Sequence, residues 1–197
     1  MHSTSIQKLI KALSRLPSVG PRTAERFVFH LLKSGKKDAA ELAIALKEML
    51  SSIKSCTICW RFSDQDPCDI CSNTTRDHKI ICVVSEQQEV EVFEKLGEFI
   101  GVYHILRGNI KPENDFHNKK LKIKELLLRL RSNVVDEVIL GLNANIEGET
   151  TIMFLERKIK EISPNTKITR LARGLPMGSD LLYADEITLA SALKNRN

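Results

Sequence analysis

Five cysteines punctuate the 197-residue chain, and four of them are spaced for metal chemistry. Cys56-Thr57-Ile58-Cys59 is followed, after eight residues, by Cys68-Asp69-Ile70-Cys71. Each CxxC turn can present two thiolates to one ion, and the short loop between the turns lets the pairs complete a tetrahedron. Two disulfides belong to oxidising compartments. A redox CxxC is an alternative, but two copies this close favour one structural zinc ion per chain. Four thiolates close the coordination shell and leave no position for an activated water, so the ion is expected to stabilise the fold and not to catalyse. Cys82 lies inside Ile80-Ile81-Cys82-Val83-Val84 and reads as a small buried hydrophobe. The histidines show no metalloprotease spacing.

The second candidate chemistry is electrostatic. The chain carries a net charge of +5, but residues 1–54 hold ten Lys and Arg against four acids, which gives +6, and the remainder is near neutral. An anionic partner for the N-terminal third is the reading this asymmetry favours, with a solvated basic face as the alternative. Within that third, Pro17-Ser18-Val19-Gly20-Pro21 makes a tight connection, and Arg22 and Arg26 follow four residues apart on one helical face, with His30 and Lys33 extending the stripe. A turn placed there can aim backbone N–H groups and a helix start at a phosphate. Ser18, Val19, Gly20, Arg22 and Arg26 are therefore the candidate phosphate contacts. Phe29 lies near Arg22, where it could stack on a base or be buried in a subunit interface.

The elements that must position these groups follow from periodicity. Ile6, Leu9, Ile10, Leu13 and Leu16 recur at helical spacing up to Pro17. Pro21 suits the first turn of a second helix that runs to about Lys33, where Gly35 provides a stop. A third helix is expected over residues 38–53. From Lys79 onward, apolar strands (80–84, 102–106, 138–142, 167–171) alternate with helices (86–96, 119–131, 149–162), which implies crossovers and a parallel sheet covered on both faces. A short segment and a helix starting near Asp185 finish the chain. The fold class expected is α/β multidomain: a helical unit over 1–53, a four-cysteine zinc finger over 54–76, a parallel α/β sheet domain over 77–166, and a C-terminal segment with a helix over 167–197. No apolar run approaches the roughly 18–20 residues needed to span a bilayer. Residues 1–5 lack a basic start followed by an apolar stretch, so the cytoplasm is the expected compartment.

The first two helices and their connection resemble the helix-hairpin-helix motif, which binds duplex backbone without reading bases; Ser18 stands where that motif usually has glycine. The stretch from Ile139 to Glu149, which follows a strand and opens a helix, looks like the toprim domain. Toprim enzymes hold magnesium with a glutamate after the first strand and an aspartate pair after a later one. Here the first position falls at Ser85, with Glu86 beside it, and Asn143 and Asn145 replace the aspartates. Neutral amides offer little to a hard divalent cation, although Glu86, Glu89, Glu147 and Glu149 could form an acidic surface.

Taken with Arg170-Leu171-Ala172-Arg173-Gly174-Leu175-Pro176 and Tyr183-Ala184-Asp185-Glu186, the order of modules resembles the RecR family of bacterial recombination mediators over essentially the full length. That resemblance implies a non-catalytic DNA-binding role in repair and a homotetrameric ring around DNA, with oligomerisation through the C-terminal segment. It also implies partnership with RecO and possibly RecF in loading recombinase on single-stranded DNA. RecO contact is expected at Glu147, with Glu149 and Glu86. The alternative is a magnesium-dependent toprim nuclease or primase-like enzyme. The chain has no GxxxxGK[ST] loop, so ATP use in such a pathway would belong to a partner.

Overall fold

A computed structural model describes residues 2–111, 113, 118–132, 134–194 and 196. The chain forms two compact units, Met1–Ile53 and Lys54–Asn197.

The first unit is three helices: α1 (Thr4–Leu13), α2 (Pro21–Ser34) and α3 (Lys36–Ser52). Ser3 caps α1 by accepting from the Ile6 amide, and Pro21 occupies the first turn of α2, where a missing N–H costs nothing. α1 stops three residues earlier than its apolar spacing suggests. Ser14 Oγ donates to the Ile10 carbonyl, and the Arg15 and Leu16 amides bond three residues back, tightening the chain into a turn before Pro17 is reached. Gly35, with φ 102, separates α2 from α3 in a conformation that side chains resist. Ala24 and Val28 are the buried apolar residues of this unit, and α3 buries none.

The second unit begins with the cysteine region: β1 (Lys54–Ser55), β2 (Phe62–Ser63) and the single turn α4 (Asp69–Ser72). A four-stranded sheet follows, built from β3 (Asp77–Val84), β4 (Gly101–Ile105), β5 (Glu137–Leu140) and β6 (Lys167–Arg170) in the order β4-β3-β5-β6, with every pairing parallel. This is the parallel sheet that the alternation predicts, and its fourth strand starts at Lys167, where the C-terminal segment was expected to begin. α5 (Gln87–Leu96), α6 (Ile123–Ser132) and α7 (Ile146–Ile162) make the crossovers. The chain steps one way from β3 to β4 and the other way thereafter, so right-handed crossovers place α5 on one face and α6 and α7 on the other.

The central strand β3 ends in an apolar run from Ile80, and Ile81, Cys82, Val83 and Val84 are all buried, as a strand covered on both faces requires. Burial pushes the Cys82 thiol up to about 12, so it behaves as the small hydrophobe expected. β4 lies at the edge of the sheet yet is wholly buried. The cysteine region covers it, with the Ile105 amide donating to the Cys59 carbonyl at 2.9 Å. His104, also on β4, donates from Nε2 to the Lys122 carbonyl at 2.8 Å, and burial lowers its pKa to about 3, so it stays neutral. The Lys122 amide in turn donates to the Leu106 carbonyl at 2.8 Å, which is why α6 starts at Ile123 and not at Lys119. A short 3₁₀ turn, Leu181–Tyr183, and α8 (Glu186–Lys194) finish the chain with no buried residue. Among the described residues, no helix is long and apolar enough to cross a membrane.

Candidate functional site

Three places carry the candidate chemistry. In the cysteine region, β1 and β2 pair antiparallel in the register Lys54↔Ser63 and Ser55↔Phe62, closing the loop that holds the first CxxC. The Trp60 amide donates to the Cys56 carbonyl at 2.9 Å, and the Cys56 amide to the Arg61 carbonyl at 2.8 Å. Cys68 sits at the cap of α4, and its amide donates to Cys56 Sγ at 3.4 Å. Asp66 Oδ1 accepts from the Thr57 amide and hydroxyl at 2.8 and 3.0 Å, tying the intervening loop to the first knuckle. All four cysteines are buried, their sulfurs lie within 4.8 Å of one another, and Cys59 and Cys68 are 3.6 Å apart.

Four sulfurs about 2.3 Å from a tetrahedral zinc would stand roughly 3.8 Å apart, so the set is of the right size and chemistry for a metal ion. Without a cation the cluster cannot hold four negative charges. Hydrogen bonding with Cys68, then burial, push the Cys59 thiol up to about 12, while hydrogen bonds from Cys59 and Cys71 hold Cys68 far below the ordinary thiol value. A divalent ion removes that conflict by displacing the protons.

The second place is the connection before α2. The Val19 amide donates to the Leu16 carbonyl at 3.1 Å, closing the turn, and Ser18 takes φ 63. This is the left-handed region, which explains why glycine is usual at this point of the motif. Ser18→Gly should hold or raise the stability of this unit, by up to about 1 kcal/mol, and Ser18→Val should lower it, as denaturant unfolding will report. Gly20 has an ordinary φ of −76, and a Cβ built there would meet nothing within 4 Å. Nothing inside the chain requires glycine at this position; close approach of something outside would. Arg22 and Arg26 are exposed, Val19 is half-buried, and Ser18 and Gly20 are exposed. Phe29 is half-buried, with its ring edge-on to His2 at 5.3 Å, and His2 Nε2 lies 2.7 Å from Glu25.

The third place is the C-terminal edge of the sheet around β3 and β5, where the direction of the crossovers reverses and open α/β sheets bind their ligands. Ser85 is buried and donates from Oγ to Asn109 Oδ1 at 2.8 Å. Glu86 is exposed at the cap of α5. Glu89 Oε2 accepts the Ser85 and Glu86 amides at 2.7 and 3.0 Å, and its Oε1 accepts from Asn143 Nδ2 at 2.9 Å. Asn145 Oδ1 caps α7 by accepting the Gly148 amide at 2.8 Å. A Cβ at Gly148 would lie 1.9 Å from the Asn143 carbonyl oxygen, so the asparagine loop and the start of α7 close together only over glycine. Both asparagines are thus occupied in hydrogen bonds that hold the loop.

Glu147 and Glu149 project from the first turn of α7, half-buried, and each faces cations. Lys111 Nζ is 3.7 Å from Glu147; Glu149 is bonded by Arg173 and lies 3.4 Å from Arg170, which also binds Glu156. The acidic surface expected from the sequence is therefore largely offset by its own neighbours. The roles of Glu89 as a clamp and of Gly148 as a point of closure escaped the sequence reading. The Glu86-x-x-Glu89 spacing ahead of an apolar run was the available signal for the first.

Comparison with known proteins matches the helical unit, the sheet domain and the C-terminal segment. A RecR helix-hairpin-helix model matches residues 6–50, a Toprim domain model residues 79–172, and a RecR C-terminal model residues 174–197. The recombination protein RecR of Moorella thermoacetica is 47% identical over 192 residues, covering 98% of this chain and 96% of that protein. The recombination protein RecR of Gloeobacter violaceus is 45% identical, covering 100% and 98%. That of Herpetosiphon aurantiacus is 46% identical, covering 97% and 93%. Identity of this extent spans both compact units and the cysteine region between the matched models, and on that ground the chain belongs to the RecR family.

Proposed function

We propose that the chain is a non-catalytic DNA-binding mediator of recombination in DNA repair. The observation that carries the reading is the turn before α2: an open Gly20 followed by exposed Arg22 and Arg26 at a helix start, in a chain of the RecR family. Helix starts favour anions, and arginines on the same face supply backbone contacts that need no base sequence. Ser18, Val19, Gly20, Arg22 and Arg26 form the DNA site. Cys56, Cys59, Cys68 and Cys71 hold one structural zinc ion, whose chemistry is to fasten the knuckles by four thiolate bonds and cover the β4 edge. The working division is a DNA-binding helical unit over 1–53, a zinc finger over 54–76, a toprim domain that starts at 77 and takes in β6, and a C-terminal assembly segment beyond it, acting in the cytoplasm.

A magnesium-dependent nuclease or primase-like enzyme would need carboxylates at the sheet edge. Asn143 and Asn145 supply amides, and both oxygens of Glu89 are already bonded, which favours docking over catalysis. RecO, and RecF where present, are the partners by family, with RecO at Glu147 flanked by Glu149 and Glu86. Assembly into a homotetrameric ring is supported by apolar surface left exposed on α3, where Leu42, Ile44, Leu46, Met49 and Leu50 all face solvent.

The test is capture of RecO by the full chain with DNA and magnesium present, together with a native mass. The expected result is a RecO complex, a tetrameric mass and intact DNA. Glu147→Lys should weaken RecO binding at least tenfold and leave DNA binding by the chain alone unchanged. Unchanged RecO affinity in that variant removes Glu147 from the contact, and cleaved DNA overturns the non-catalytic reading.

A further inference from the structure

The zinc region carries two large aromatic residues that the fold does not absorb. Neither Trp60 nor Phe62 belongs to the apolar core of its unit, and Phe62 keeps 49% of its surface exposed. Cations from two distant segments are fixed against both rings. The Arg107 guanidinium lies 4.3 Å from the centre of Phe62 and 5.7 Å from that of Trp60, and Lys122 Nζ stands 3.9 Å over Trp60. Arg107 is held there by neutral oxygens, donating to the Trp60 carbonyl at 3.1–3.2 Å and to Ser55 Oγ at 2.7 Å. Lys122 is additionally paired with Glu125 at 2.9 Å, and Arg61 with Asp69 at 3.1 Å.

The backbone is bent to make this arrangement. Trp60 has φ 66 and Arg107 φ 63, left-handed values that cost roughly 1 kcal/mol or more for residues with a side chain. Among the described non-glycine residues, only Ser18 shares that conformation, and it lies in the proposed DNA turn. The cluster also borders the C-terminal edge of the sheet: Arg107 follows β4, and the Phe62 amide donates to Gln87 Oε1 at the start of α5 at 2.8 Å.

An exposed Phe62 ring beside a half-buried Trp60, with cations held against both, is a surface that unstacked nucleobases fit. The π-face of any base stacks on an aromatic ring, and the neighbouring cations attract the phosphates between bases. A duplex hides those faces in its own stack. We propose that Trp60 and Phe62, backed by Arg107 and Lys122, form a stacking platform for single-stranded nucleic acid, separate from the backbone contacts of Arg22 and Arg26. The proposal deepens the DNA-binding reading above by giving the single strand its own site.

Trp60 is the one tryptophan of the chain, so its emission reports on this surface alone. The experiment titrates the zinc-loaded, full-length protein with oligothymidylate of about 15 nucleotides and with a duplex of equal length. The expected result is saturable quenching of Trp60 by the single strand and little by the duplex. Phe62→Ala should weaken single-strand affinity roughly 5- to 100-fold with duplex affinity unchanged, and Phe62→Tyr should restore it. In an Arg22→Ala, Arg26→Ala variant, duplex binding should fall while saturating oligothymidylate still quenches Trp60. Unquenched Trp60 in unaltered protein carrying bound single strand overturns the platform without any variant. Equal loss of single-strand and duplex binding in Phe62→Ala, or no loss of either, overturns it as well. Duplex binding that survives the arginine double variant would sink the hairpin reading alone, leaving the platform standing.

Discussion

Removing the zinc expected at the four cysteines should unfold the cysteine region and expose the β4 edge of the sheet. Protein purified without chelator is expected to hold one zinc ion per chain, measured by elemental analysis, and a single replacement such as Cys71→Ser should abolish that stoichiometry. The physical basis is that the four sulfurs are brought together by paired strands of two residues each and one turn of helix, elements too short to be stable alone. Structural zinc sites contribute on the order of 10 kcal/mol of folding free energy in isolated fingers. The region here also packs on the sheet, so a loss of about 5 kcal/mol from the second unit is a conservative expectation for one ligand. At this size that lowers the unfolding midpoint by roughly 10 °C or more. Trp60, next to Cys59 in the chain, should shift its emission to the red as chelator is added. Because each ligand must be a thiolate, acid should release the ion as protons compete for sulfur. A metal-free preparation with an unchanged unfolding midpoint would remove zinc from the fold.

Replacing Arg22 and Arg26 together with alanine should flatten the salt dependence of duplex binding. Each phosphate neutralised adds about −0.9 to the slope of log affinity against log salt, so the pair accounts for roughly 2 per engaged subunit. Neither residue contacts a base in the proposed mode, and the loss should therefore be uniform across sequences. Both side chains are exposed and outside the buried pair Ala24 and Val28, so unfolding of the helical unit should be little affected. Lys33, at the far end of α2, serves as the control expected to give a smaller change. Glu25 is unsuitable for that purpose, because it is bonded to His2. A double variant that keeps both affinity and slope would make the basic stripe a solvated face.

The two predictions draw on features of different legibility. The cysteine knuckles, Gly20-Pro21 at the start of α2, and the strand–helix alternation are local patterns. Their meaning depends on residues within a turn or two of each other, and the structure places them where spacing predicts. Element ends were less legible, because partners distant in sequence set them. α6 begins at Ile123 since the Lys122 amide is taken by the Leu106 carbonyl, 16 positions away.

The chain by itself determined the ligand set for a metal, the parallel α/β class and the basic turn, because each is written as identity and spacing along a continuous backbone. Tertiary structure decided which charges remain available and which rings meet. Glu149 reads as an open acid until β6 brings Arg170, and the chain beyond it Arg173, against it. Asn143 reads as a lost metal ligand until Glu89, 54 positions away, takes its amide. Trp60, Phe62, Arg107 and Lys122 carry no common spacing and are brought together only when the cysteine region covers the β4 edge. Side-chain pairing of this kind follows strand order and crossover direction, which arise from burying the whole sheet and leave no periodic trace in any one segment.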